Sequence, residues 1–153
     1  MNNRYLRAMV AGFVATIVLS ILMLIKGAMG MLPQMNVIHM LAHMAHGMLG
    51  MPAVPAVGWM IHFLIGTVLW GLGFALLHPV LPGSTAVRKG LSFSVLAWLL
   101  MMLIPMPMAG AGLFGLKMGI MAPVMTLILH LAWGAALGWT YGRLGGKSEA
   151  TGE

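Results

Sequence analysis

The stretch PAVGWMIHFLIG, residues 55–66, returns in outline as PVMTLILHLAWG, residues 123–134. Both read Pro-x6-His-x3-Gly: Pro55, His62 and Gly66 in the first, Pro123, His130 and Gly134 in the second. Proline suits the first turn of a helix, so each histidine lies about two turns in, roughly 10 Å along the axis. Both stretches sit in long apolar runs. In a membrane that sets two imidazoles at matching depth in two halves of one molecule. An imidazole inside hydrocarbon needs a partner, which makes this pair a candidate functional site.

The surrounding composition is that of a membrane protein. Of 153 residues, 61% are hydrophobic and 7% charged, against about 25% charged in a soluble domain; mean hydropathy is +0.99. Eight Lys and Arg face two acids, Glu149 and Glu153, both in the polar tail. With no carboxylate in the apolar body, a buried Asp/Glu proton relay, an oxygen-lined Ca²⁺ or Mg²⁺ cage and a paired-carboxylate hydrolase are excluded. The absence of Cys removes disulfides, thiolate nucleophiles, Fe–S clusters and Cys-based zinc sites. The basic residues fall singly and in pairs at helix ends, so they read as topology signals and predict no nucleic-acid partner.

Four runs reach the ~20 residues a bilayer requires, near 8–30, 56–78, 90–108 and 119–142. Arg4, Arg7, Arg88, Lys89, Arg143 and Lys147 would share one side, with Lys26 and Lys117 near the other. The positive-inside rule then puts both termini in the cytoplasm. Segment 34–51 is bracketed by Pro33 and Pro52 and is short; a fifth span would send Arg88 and Lys89 outside. It reads as a surface helix over about 35–50 at the outer face. The first run is long for a signal sequence and is taken as an uncleaved span. The expectation is one membrane domain over 1–147 with a polar tail at 148–153. Its fold is an all-α bundle of four transmembrane helices, built from two related helical hairpins plus the short outer-face helix. His62 and His130 are 68 residues apart, while Leu22–Ile25 and Met101–Ile104 echo each other at an offset of 79; the extra residues in the first half fall to the surface segment.

Two residue sets carry chemistry. On the surface helix His39, His43 and His46 share one face, with Met40 and Met44 in an adjacent stripe that continues to Met48 and Met51. Histidines at i,i+4 grip one ion, but the ends of the triplet are about 10 Å apart, so one ion cannot take all three. Imidazole and thioether donors suit copper, above all Cu(I); Zn²⁺ would lack its usual thiolate or carboxylate. The plainer alternative is an interfacial helix whose weakly polar face is histidine and whose methionines are filler. In the second set, His62 and His130 would face each other across the bundle as axial ligands of a b-type haem, with Gly66 and Gly134 leaving a flat macrocycle room. The same pair could hold copper with Met60 or Met125, or touch a quinone head. Against this stands simple packing: His130, Gly134, Gly138 and Gly142 form a small-residue ladder, and His130 could bond to Thr126 one turn back.

His78 reads as a helix-end residue, Lys26 as a side chain reaching out to the interface, and Gly110–Gly115 as an outer turn after Pro105 and Pro107. No Ser–His–acid set and no nucleotide loop is present, so no enzymatic activity is predicted. The layout and motifs resemble small bacterial inner-membrane families without an assigned activity; the likeness spans most of the chain and implies no site residues. The leading expectation is an inner-membrane protein that binds copper or haem through His and Met, for metal handling or electron transfer. The alternative is a cofactor-free accessory subunit or assembly factor of a larger membrane complex, or a homo-oligomer. A small transporter using His62, His78 and His130 lacks a polar line between them.

Overall fold

A computed structural model describes residues 3–32 and 35–145. Pro33, Lys147, both glutamates and the tail expected over 148–153 lie outside the described residues. Helix α1, Arg4–Ala28, starts where the Asn3 side chain accepts from the Tyr5 and Leu6 backbone N–H groups (2.9 and 3.3 Å), two donors that a helix start leaves without partners. It is followed by α2 (Val37–Leu49), α3 (Pro55–Leu64), a π turn (Ile65–Leu69), α4 (Trp70–Leu77), α5 (Ala86–Leu103), α6 (Pro105–Met108), a 3₁₀ segment (Leu113–Met118) and α7 (Met121–Gly145). No strand occurs among the described residues.

Four helical stretches are long and apolar enough to cross a membrane: Arg4–Ala28, Pro55–Leu77, Ala86–Met108 and Met121–Gly145. Their bounds lie within a few residues of those read from the sequence. Helix α2 is too short to cross; it begins at Asn36, whose side chain accepts from His39 N–H (3.1 Å), and ends at Gly50 with φ +68°. Phe13, Ile17, Ile21 and Leu24 are exposed on one side of α1, opposite a buried face of Ala8, Ala11, Gly12, Ala15 and Thr16. An outward apolar face of this kind fits lipid chains, and the chain is compatible with a multi-pass membrane protein.

The small-residue faces let backbones approach closely. A Cβ on Gly12 would stand 2.6 Å from the Gly66 carbonyl oxygen, one on Gly66 would overlap Thr16, and one on Gly71 would reach Met9 Cα at 3.0 Å. Helices α5 and α7 meet in the same manner: Gly90 against the Gly134 carbonyl, Gly134 against Ser94, and Gly138 against Ala86 and Val87. The contacting glycines are four apart in α7 and five apart in the second span. The π turn takes up the extra residue and keeps Gly66 and Gly71 on the α1 side. Helix α1 also packs along α7, so it touches both the second and the fourth spans.

One end of the bundle is closed. Phe74 packs on Phe93 (5.4 Å between centroids) and Tyr141 (5.2 Å), and the Arg7 guanidinium lies 3.9 Å from the Tyr141 ring centre. His78 caps α4, and its carbonyl accepts from Lys89 Nζ (2.7 Å). The opposite end is open, with α2 laid over α3 where Gly58 meets the Ile38 backbone. Lys26, expected to reach out to the interface, is instead buried, 9% exposed. Its ammonium donates to the carbonyls of Met35 (2.9 Å) and Leu32 (3.4 Å), which the turn after α1 brings over it.

Candidate functional site

Two hollows adjoin at the open end. The larger, about 960 Å³, lies between the spans and is bordered by both matched histidines, His62 and His130, with Trp59, Trp70 and Trp133 beside them. Its volume is on the scale of a small-molecule site. Lys26, Asn36 and His39 border it too; most of the remaining wall is apolar.

Hydrogen bonds fix how each imidazole presents itself. The Ser20 hydroxyl donates to the Thr16 carbonyl (2.7 Å), so toward His62 Nε2, 3.2 Å away, its oxygen acts as an acceptor. With the Ser20 proton given to that carbonyl, His62 carries its own proton on Nε2 and leaves Nδ1 as a lone pair; the Ser20 hydroxyl turned the other way would place the proton on Nδ1. His130 Nδ1 faces the Thr126 carbonyl at 2.8 Å, which can only accept. Its proton is on Nδ1, and Nε2 keeps the lone pair. That is how a ligating histidine is commonly oriented. Thr126 is itself fixed, donating to the Ala122 carbonyl (2.8 Å) and accepting from Trp98 Nε1–H (3.1 Å).

Gly66 and Gly134 do not leave the room for a macrocycle that their spacing promised. Thr16 fills the space beside Gly66, and Ser94 fills that beside Gly134. Gly66 still touches the wall of the hollow, while Gly134 does not border it. Met60 is exposed to the outside and Met125 does not line the hollow. The methionines that do are Met23, Met31, Met35, Met40 and Met101.

The smaller hollow, about 560 Å³, is a cleft between α2 and the segment that returns from α5 to α7. His39, His43, Met40, Met44 and Met48 line it from α2, joined by Met35 from the turn before. Met106, Met108 and Met118 close it from the other side. Sequence reasoning missed these last three and Met35; the signal available was Pro105-Met106-Pro107-Met108, a single helical turn that carries two thioethers. His46 does not border the cleft: its Nδ1 donates to the Met51 carbonyl at 2.8 Å. Among the described residues no three His, Cys, Asp or Glu side chains come together as a metal-holding group, so any ion in the cleft would depend on thioethers. Met35, Asn36, Val37, His39 and Met40 border both hollows, and this first part of α2 is the partition between them.

No curated protein and no solved structure matches the chain. One family model does match, over residues 2–151. With nearly its whole length covered, the chain belongs to the Family of unknown function (DUF6789).

Proposed function

We propose that this is a copper(I)-handling protein of the bacterial inner membrane, with both termini in the cytoplasm and the cleft at the outer face. The observation that carries the reading is the donor set of the cleft: seven methionines and two histidines four residues apart, with no carboxylate or thiolate among them. Cu(I) is a soft ion that accepts thioether and neutral imidazole, whereas Mg²⁺, Ca²⁺ and Mn²⁺ want oxygen. The test is Cu(I) titration of the detergent-purified protein against a chromophoric Cu(I) chelator. One ion per chain is expected. His39→Ala with His43→Ala should weaken binding tenfold or more, since even outer-shell changes cost about 10–100-fold. Met106→Leu with Met108→Leu should also weaken it while preserving the fold, because Leu for Met conserves volume. Wild-type protein that takes no more Cu(I) than the double-histidine variant overturns the reading.

A haem between His62 and His130 is the second reading, and one arrangement favours it: His130 offers Nε2 with its other nitrogen already held. His62 presents the opposite case, because its Nε2 is engaged by Ser20 and would have to release it. Iron with a Soret band in gently prepared protein would revive the haem; metal-free protein would favour an accessory subunit.

We also read the bundle as two related hairpins. Gly12 and Gly90, Thr16 and Ser94, and Ala8 and Ala86 lie at one common offset of 78, and make equivalent contacts with the second and fourth spans. That offset, one less than the sequence echo gave, supports a duplication with α2 inserted in the first half.

A further inference from the structure

We propose that the larger hollow holds a membrane-soluble carboxylic acid, whose anionic head pairs with Lys26 and whose apolar chain lies along the wall toward His62 and His130. Lys26 is the only buried lysine or arginine among the described residues, and its ammonium meets neutral carbonyl oxygens. A buried charge is costly unless it is paired. Among the described residues there is no carboxylate to pair it with: the sequence contains no Asp, and its two Glu are residues 149 and 153. An ammonium has three donors; among the described residues two of them meet carbonyls, and Lys26 also borders the hollow, where a ligand could take the third.

The long aliphatic stem of a lysine this close to a helix end would ordinarily let the charge reach water. Here it turns inward, toward a space of about 960 Å³. Leu19, Met23, Leu69, Leu100 and Leu129 supply apolar wall, which suits an alkyl or isoprenoid chain. Asn36 and His39 stand with Lys26 on the border, where a carboxylate could accept further bonds. One ammonium balances one negative charge, so a carboxylate fits better than a phosphate monoester head, which approaches two. The carboxylate site shares His39 with the proposed copper cleft but needs none of its methionines.

The test uses the full chain in a non-ionic detergent with 11-(dansylamino)undecanoic acid as the probe. Binding is read by energy transfer from Trp59, Trp70 and Trp133, which border the hollow. The acid is expected to bind and its methyl ester to bind at least about thirtyfold more weakly, the loss typical of truncating a buried charge pair. Palmitate should displace the acid, and hexadecanol should not at equal concentration. Lys26→Gln should lose the preference for acid over ester, while Lys26→Arg, which keeps the charge, should retain it. Equal binding of acid and ester to the wild-type protein would overturn the proposal without any variant having to fold. So would the absence of transfer, or stronger displacement by hexadecyl phosphate than by palmitate.

Discussion

Replacing Gly12 by Ala puts the proposed helix contact to a direct trial. The new Cβ would lie 2.6 Å from the Gly66 carbonyl oxygen, 3.3 Å from Gly71 Cα and 3.4 Å from Thr67 Cα. Ordinary contact begins near 3.4 Å, so α1 and the second span must separate by most of an ångström. Every one of these neighbours is backbone and cannot swing aside. Overpacking of this kind costs about 1–3 kcal/mol. The matched control is Gly27→Ala on the same helix, where nothing lies within 4 Å; there the change should stabilise by about 0.5–1 kcal/mol through reduced backbone entropy. The chemistry is identical and the expected signs are opposite. Thermal unfolding in detergent, followed by tryptophan fluorescence, should give midpoints below wild type for Gly12→Ala and at or above it for Gly27→Ala. If α5 and α7 repeat the contact, Gly90→Ala should match Gly12→Ala. Equal midpoints for Gly12→Ala and Gly27→Ala would refute the close approach and the packing argument built on it.

Ser20→Ala removes the acceptor of His62 Nε2–H, and stranding that buried donor should cost about 1–3 kcal/mol; nitrogen NMR of the imidazole should show the Nε2–H tautomer in wild type and its redistribution in the variant. Deleting Val68 from the π turn should leave the fold intact, since it brings the Gly66–Gly71 spacing down to the four residues seen between Gly134 and Gly138. Deleting Ile128 from the regular helix α7 should turn everything beyond it by about 100° and abolish monodisperse folding, and equal damage from both deletions would sink the π-turn account.

The four long apolar helices were legible because hydropathy and length are local properties, and the Pro-x6-His spacing because a 3.6-residue period sets each histidine about two turns beyond its proline. The contact glycines were half legible. The ladder Gly134, Gly138 and Gly142 announced a packing face, but only the partner helices reveal that Thr16 and Ser94 fill the spaces a macrocycle would have needed. What lay outside the reach of the sequence depends on long-range contact. The position of α2 rests on Gly58 meeting Ile38, and the Met106 to Met118 side of the cleft is folded back by turns at Gly112 and Gly115, with φ of +77° and +68°. The inward turn of Lys26 needs the Leu32 and Met35 carbonyls over it, which no periodicity encodes.

The two hollows are chemically distinct but share a wall. Lys26 holds the Met35 carbonyl, and Met35 stands in the partition that also lines the methionine cleft. A carboxylate that drew the Lys26 ammonium toward itself, beyond taking its third donor, would weaken its hold on that carbonyl and loosen the turn leading into α2. The Asn36 cap and the Gly58 contact remain, so the helix keeps its place while its first turn loosens. A copper ion in the cleft would act in the opposite sense, because ligands from Met35, His39 and Met40 order the same turn. Linkage then requires reciprocity: whatever factor an acid takes from the copper affinity, copper must take from the acid affinity. The partition formed by residues 35–40 is thus where the two proposed sites would meet, and the closed aromatic end around Phe74 and Tyr141 would serve as the fixed body against which it moves.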